Sequence, residues 1–591
     1  MKRVLKCINQ RSGLSLVEVI LAIGMIGMLF GAIYVSYFSI VDVIDSSSFR
    51  AQAASLLNQE IEIIRNLPFD EVGVEGSIPA GILPPLKTVS GNDGHAYGLE
   101  FTVRNIDDPF DGTIGGSPND TAPADYKLVE IKASCLSCPR FVPISITTTV
   151  APPGLESASS DGSLFVNVFD ASAQGVSNAT VRVVNASTTP TIDLTDTTNA
   201  SGVLQLVGVP TSTQGYFIQI SKSGYSSERT YAIGDASNPS PLPQYTHATV
   251  QAQTLTTASF SIDELSSLEL IASDKICQPF SGEEFAARGS KLIGTPSVYK
   301  NSYNETTDSD GVALFSNIEW DTYNLTHTTS SYVISGISPF GQVVVNPDTA
   351  SSIRYTLDTV SNNALLVRVK NVANNDLASS SITISRSSFS ASATTSRATL
   401  SETDWFSYDS QSGGVLVAPT SLALILNASG TYDTGEEEWL ISDTIDFGAT
   451  STFYAFSWNP GTQPPQTGAA SLKFQLASNN DNATWNFIGP DGTSGTYYSS
   501  PDGTIHSGHS GHRYLRYRAY LATQDENYTP QLDDVSFIFS GPCMPRGQIL
   551  FSGLSSNDYE VAASAPGYIT ATTSVTVSDP WQSVELQLTA S

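Results

Sequence analysis

The sequence predicts a mainly β protein: one long N-terminal helix, a small α+β head, then tandem β-sandwich modules, the last carrying a further β-sandwich inserted within it. Three observations predict this. The long apolar run of the chain lies at its N-terminal end, from Leu14 to Val41. Only 14% of the residues are charged, so long solvent-facing helices are disfavoured and Ser/Thr-rich alternating strands are favoured. Finally, one pattern of Gly, alternating apolars and spaced tyrosines occurs three times. At 591 residues the chain is long enough for several domains.

From Leu14 to Val41 the run carries one charged residue, Glu18. As a helix it rises on the order of 40 Å, enough to cross a bilayer with some tilt. Lys2, Arg3, Lys6 and Arg11 precede it, which keeps the short N-terminus in the cytoplasm. A cleaved secretory signal would need a small-x-small site just after the run. Ala51-Gln52-Ala53 has that form but lies beyond Asp42, Asp45 and Arg50. A bare anchor explains the length and leaves Glu18 without a purpose, because an intramembrane carboxylate costs roughly 2.5–3.5 kcal/mol and so implies a partner.

The segment Gly13-Leu14-Ser15-Leu16-Val17-Glu18, between the basic leader and the apolar run, resembles the type IV prepilin processing motif. The resemblance implies a leader over 1–13, cut by a prepilin peptidase between Gly13 and Leu14, and N-methylation of Leu14. It also implies that Glu18 meets the terminal amine of a neighbouring pilin subunit during assembly. An amine and a carboxylate in apolar surroundings relieve each other's desolvation.

The helix is expected over 14–66, with 14–41 in the membrane. Ala53, Leu56, Leu57, Ile61 and Ile64 share one face at helical spacing, and Asn66-Leu67-Pro68 ends it. The head, 67–152, shows three strands: Tyr97–Asn105, Asp125–Ser134 and Phe141–Val150. A long helix followed by such a sheet is similar to the pilin or pseudopilin arrangement. Between the last two strands lies Cys135-Leu136-Ser137-Cys138. A redox pair would want a helix N-terminus, so a disulfide closing a turn is the leading reading, with free thiols and a metal site as alternatives. The acidic loop with Asp107, Asp108 and Asp111, and with Asp120 and Asp125 nearby, offers oxygen ligands for a structural Ca²⁺, as in some pseudopilins; acidic turns without an ion are the competing reading. No other cofactor is expected.

Residues 153–161 form a Pro/Gly/Ser linker. Beyond it the repeat appears as Gly202-Val203-Leu204-Gln205-Leu206 with Tyr216 and Tyr225, as Gly311-Val312-Ala313-Leu314-Phe315 with Tyr323 and Tyr332, and as Gly547-Gln548-Ile549-Leu550-Phe551 with Tyr559 and Tyr568. Each has an upstream strand: Ser163–Phe169, Ser267–Ala272 and Ala364–Val369. The pattern resembles the carboxypeptidase-regulatory-like and CnaB-like family of Ig-like sandwiches, which implies stalk or spacer modules. Some members form Lys–Asn isopeptide bonds; the first module has no Lys in its opening strand. The modules are read as 162–262, 263–361 and a split third, 362–400 plus 541–591. The insert, 401–540, carries strands at Glu438–Ser442, Thr452–Trp458, Ala470–Ala477, Thr484–Ile488, Tyr514–Leu521 and Val535–Ser540. It resembles jelly-roll, galactose-binding-like modules.

No GxSxG, HExxH, P-loop or Cys–His signature is present, so no enzyme is predicted. His506, His509 and His512 are spaced for a metal, but their Ser-Gly partners read as a surface turn. Trp458, Trp485, Tyr497 and Tyr498 are candidates for stacking a glycan, with burial in the core as the other reading. The net charge of −29 argues against nucleic acid. Four cysteines follow the leader; the spacing of Cys277 and Cys543 leaves their pairing open. The functional expectation is a minor or tip pilin-like subunit, cytoplasmic-membrane-inserted and then extracellular, that displays its modules for adhesion to a glycan or cell surface. The alternatives are a pseudopilin of a type II secretion or DNA-uptake machine, and a membrane-tethered surface protein with a carbohydrate-binding module.

Overall fold

A computed structural model of the chain describes residues 16–153, 160–329, 331–359 and 363–591. It divides into two compact units. The first runs to Asp263 and takes in Ile293–Val298; the second holds Glu264–Leu292 and Tyr299–Ser591.

In the first unit one helix spans Leu16–Arg65 without a break, about 75 Å at 1.5 Å per residue. It contains no proline. At its end Arg65 pairs with Glu62 at 3.0 Å, and Asn66 caps back onto the Glu62 carbonyl at 2.6 Å. The buried positions Phe49, Ala53, Leu57, Ile61 and Ile64 recur at helical spacing. They pack on Tyr97, Leu99, Phe101, Val129 and Ile131 of an antiparallel meander. The meander has four strands in chain order: Leu86–Ser90, Ala96–Ile106, Tyr126–Cys135 and Ile144–Val150. The edge strand Leu86–Ser90 has no buried residue, and its apolar residues Leu86 and Val89 fall on opposite faces, so the sequence reading lacked it. The last strand starts at Ile144, not Phe141, because Pro143 cannot donate to a ladder.

The rest of the first unit is a sandwich. One sheet joins Leu255–Ser261, Gly162–Phe169 and Val203–Val209; the other is built on Ile192–Thr197, Thr180–Asn185 and Ser212–Ser221. Leu164, Val166 and Val168 face Val181, Val183, Ile218 and Ile220 across the core.

The second unit repeats this plan twice. In all three sandwiches the opening strand lies between a parallel last strand and the antiparallel strand that follows the repeat glycine. Leu164 opposes Thr256 and Leu206, Leu268 opposes Ser351 and Phe315, and Leu366 opposes Ser583 and Leu550. The glycines Gly202, Gly311 and Gly547 hold φ of +77°, +74° and +68°. A Cβ there would stand 2.4, 2.4 and 2.7 Å from the carbonyl oxygens of Val168, Ala272 and Val369. Both the conformation and the close approach exclude a side chain. The tyrosines Tyr216, Tyr323 and Tyr559 are buried. Each hydroxyl donates to a backbone carbonyl just upstream: Pro210 at 2.6 Å, Glu319 at 2.6 Å and Ser555 at 3.1 Å.

The same equivalence locates the insertion. Thr198, Thr307 and Thr395 donate from Oγ1 to the carbonyls of Val176, Phe280 and Leu377. In the first two sandwiches a short turn, Asn199–Ser201 or Asp308–Asp310, leads from the threonine to the glycine. In the third the chain leaves at Ser396 and returns at Arg546. The inserted sheet begins at Ala398, not at residue 401, because Ala398–Glu402 pairs antiparallel with Asp534–Ser540. Entry and exit are therefore adjacent, which is what a host turn requires of a guest domain. In the insert the long strand Ile445–Asn459 pairs first with His512–Leu521 and then with Asp534–Ser540, so it belongs to two layers. Trp405, Phe447, Phe456, Phe474, Tyr517 and Phe537 fill the space between them. The expected strand Thr484–Ile488 is instead a loop with one bridge, Leu476 to Ile488. Asp481 accepts from the backbone amides of Ala483 and Thr484 and holds it in a turn.

Candidate assembly helix and surface sites

From Leu16 to Ile44 nearly every side chain is exposed, on all faces of the helix: Leu16 by 77%, Phe30 by 68%, Val35 by 68%. Among the described residues this is the one helix long and apolar enough to cross a membrane, with a mean hydropathy of 2.4 over its best 18 residues. A helix that is apolar all round has no stable place in water; it belongs in lipid or among other apolar helices. Burial begins at Phe49, whose ring meets His95 edge-on at 4.9 Å. Asp42, near the changeover, pairs with Arg140 of the head at 2.8 Å. Both are well exposed, so this pair guides orientation more than stability. Glu18 lies in the first turn of the described helix. Gly13 and Leu14 lie outside the described residues.

In the head, Asp107, Asp120 and Asp125 bring one carboxylate oxygen each to within 4.8 Å of one another. Each uses its other oxygen locally: Asp107 accepts from the Ile114 amide at 2.9 Å, Asp120 from the Ala122 amide at 2.8 Å, and Asp125 from the Asp108 amide. The remaining oxygens, Asp107 Oδ1, Asp120 Oδ2 and Asp125 Oδ1, are buried and have no partner. Burial first, then the neighbouring Asp120 and Asp125 charges, push the Asp107 carboxyl above its usual range. Three carboxylate oxygens gathered within 4.8 Å of one another suit Ca²⁺. This corrects the sequence reading in part. Asp107 is in the cluster, but Asp108 and Asp111 lie outside it, Asp111 exposed. The reason is register: Ile106 opposes Tyr126, so Asp107 and Asp125 flank the mouth of one loop.

Cys135 and Cys138 are joined by a disulfide at the end of their strand, as are Cys277 and Cys543 across 266 residues. Cys277 holds φ +66°, the same turn position as Ala173 and Asn374 in the other sandwiches. Sequence reading had no signal for this pairing; the turn equivalence would have supplied half of one.

The proposed glycan platform is corrected. Trp458 and Tyr498 are core residues, 5% and 3% exposed. Trp485 lies under the Arg516 guanidinium at 4.5 Å and Tyr497 under the Lys473 ammonium at 4.0 Å, so each already has a cation on one face. Strand alternation put Trp458 inward, a single bridge to Phe474 holds Tyr498 against the core, and loop packing decided the others. Of the histidines, His509 is buried, not in a surface turn. Ser478 Oγ bridges its Nδ1 at 2.8 Å and that of His512 at 2.7 Å. Burial, then His506 and His512, hold the His509 imidazole down to about 4.

No family model matches the chain, and no curated protein matches it. Among solved structures, the Bacillus anthracis TIE protein matches at 10% identity over 86% of this chain and 74% of its own, with a TM-score of 0.16. A Streptococcal ancillary pilin matches at 8% identity over 73% and 99%, with a TM-score of 0.15. BcpA, the major pilin subunit of Bacillus cereus, matches at 8% identity over 73% and 100%, with a TM-score of 0.14. Scores of this size carry no argument about the function of this chain.

Proposed function

We propose that the chain is a minor or tip subunit of a type IV pilin-like filament. In this reading a prepilin peptidase cuts between Gly13 and Leu14, Leu14 is N-methylated, and the helix passes from the cytoplasmic membrane into a bundle of other subunits' helices. Glu18 then meets a neighbour's amine, and the sandwiches are displayed outside the cell for adhesion. The observation that carries this is the unbroken Leu16–Arg65 helix, apolar and exposed on every side in its first half and packed on a small four-stranded head in its second. A bare anchor would need neither the continuity into the head nor Glu18. The test is the mass and N-terminal sequence of the protein recovered from cells. A start at N-methyl-Leu14 is expected; an intact Met1 start refutes processing and leaves a tethered surface protein.

The converging carboxylates of Asp107, Asp120 and Asp125 favour a second reading, a pseudopilin of a secretion or DNA-uptake machine whose sandwiches are spacers. Binding of the exported region to cell surfaces supports display; none at all supports the spacer.

A further inference from the structure

The disulfide-bonded Cys135 and Cys138 do not stand alone in the head: strand register brings His95 to them. The histidine ends the turn before the strand Ala96–Ile106, and the cysteines close the end of its neighbour, Tyr126–Cys135. Tyr97 opposes Cys135, and the Leu136 amide donates to the Ala96 carbonyl at 2.9 Å. A ring nitrogen of His95 and the two sulfurs thus lie within 4.8 Å of one another. The imidazole is held from both sides. Its Nδ1 is 3.0 Å from the Ser137 hydroxyl, inside the Cys-x-x-Cys loop, and its ring meets Phe49 edge-on. Asp93 spends both carboxylate oxygens beside it, one on the His95 amide at 3.1 Å and one on the Tyr97 hydroxyl at 2.6 Å. The donor set is therefore one imidazole and two sulfurs. All three residues are half-buried, so the site is not sealed from solvent.

That donor set has a specific chemistry. Two thiolates and an imidazole are the protein ligands of a Cys₂His zinc site, with water in the fourth place. Bond lengths of about 2.3 Å to sulfur and about 2.0 Å to nitrogen put tetrahedral ligand atoms about 3.5–3.8 Å apart. The His95 nitrogen is already within reach, and once the S–S bond is broken the sulfurs part to that spacing by side-chain rotation, their Cα atoms standing 5.5 Å apart. The oxidised pair does not ligate, because the thiolate is the ligand. The bond is also the one whose loss costs the fold less. Its cysteines are three positions apart, against 266 for Cys277 and Cys543, and loop-closure stabilisation grows with loop length. We propose that the head carries a redox-gated Zn²⁺ site, in which reduced Cys135 and Cys138 hold the ion together with His95 and oxidation of the pair expels it. The reductant is a dithiol. Its thiolate attacks one sulfur to give a mixed disulfide, and its second thiol closes it into a cyclic disulfide, so that two electrons and two protons pass to the cysteines. Zn²⁺ then replaces those two protons, which go to solvent.

The test is Zn²⁺ and Co²⁺ binding to the full chain in detergent, carrying Cys7→Ser so that the leader thiol plays no part. The protein is taken oxidised, or reduced with dithiothreitol that is then removed under anaerobic conditions. The reduced protein binds one more equivalent of Zn²⁺ than the oxidised. Co²⁺ in its place shows thiolate-to-metal charge transfer and the intense visible bands of a tetrahedral site. Cys138→Ser loses these bands, and Cys543→Ser, which breaks the other pair, keeps them. His95→Gln weakens Zn²⁺ binding by more than about 100-fold, beyond the cost of losing an outer-shell partner. Thermal melting identifies any variant that misfolds. The parent supplies a readout that needs no variant: bound Zn²⁺ protects Cys135 and Cys138, located by peptide mass, from alkylation. The proposal is overturned if oxidised and reduced protein bind Zn²⁺ equally, if Zn²⁺ leaves both thiols open to alkylation, if folded His95→Gln binds as the parent does, or if folded Cys543→Ser loses the cobalt bands.

Discussion

Breaking the Cys277–Cys543 bond should change how much chain the protein yields under tension. The bond closes a loop of 266 residues. That loop contains most of the second sandwich, the first half of the third and the whole insert. Stretched from its ends, the oxidised protein can extend only the chain outside the loop. Once Cys543 is replaced by serine, the loop adds roughly 950 Å at about 3.6 Å per residue. In a loop-entropy model the same bond contributes about 5–6 kcal/mol at 25 °C by restricting the unfolded chain. Cys277 stands at a turn position that Ala173 and Asn374 fill elsewhere with φ +61° and +63°, so the native turn does not depend on sulfur. The assay is single-molecule force spectroscopy on residues 67–591, tethered at both ends, comparing the parent with Cys543→Ser. Equal total extension in the two would refute the reasoning, because it would mean that the bond does not close the loop in the folded protein.

Four further outcomes are expected. Calcium at a hundredfold its dissociation constant should stabilise the head by about 2.7 kcal/mol, and Asp120→Asn should abolish the effect; identical melting in calcium and in chelator would remove the ion site. Without the ion, ionisation of the crowded Asp107 carboxyl costs stability as pH rises through its ordinary value of 3.8, because the folded state holds that proton more tightly. His509 behaves oppositely. Its imidazole is held down to about 4 from an ordinary 6.5, so the insert should lose about 3 kcal/mol as pH falls between those values. His509→Gln should flatten that profile in a pH series of denaturant melts; an unchanged slope would place the titration elsewhere. Gly311→Ala forces a Cβ to 2.4 Å from the Ala272 carbonyl at φ +74°. It should destabilise the second sandwich by at least about 1–2 kcal/mol, read as a shift in its denaturant midpoint; a neutral result would show that the repeat glycine is not required.

Much of the fold was legible because it is written locally. The helix is a run of apolar residues without a breaker, and Pro68 marks its end. Gly202, Gly311 and Gly547 sit where the backbone must be left-handed, and the tyrosines that follow sit one strand further on. These are short-range requirements, so they recur as a spacing. The edge strand Leu86–Ser90 was not legible, since its apolar residues Leu86 and Val89 fall on opposite faces and the sequence does not alternate. Nor was the loop at Thr484–Ile488, whose β-prone residues are overruled by the Asp481 turn.

The sequence by itself therefore determined the fold class, the apolar run with its lone Glu18, and the threefold repeat interrupted by a guest. Only the tertiary structure decided which distant groups meet. Strand register turned Asp107, Asp120 and Asp125 into a cluster and left Asp111 outside. Burial took Trp458 and Tyr498 into the core, and cations covered Trp485 and Tyr497. The return of the insert placed Cys543 against Cys277. Local conformational preferences act over a few residues and can be read along the chain. Convergence of side chains depends on register and packing across hundreds of residues, and no spacing records it.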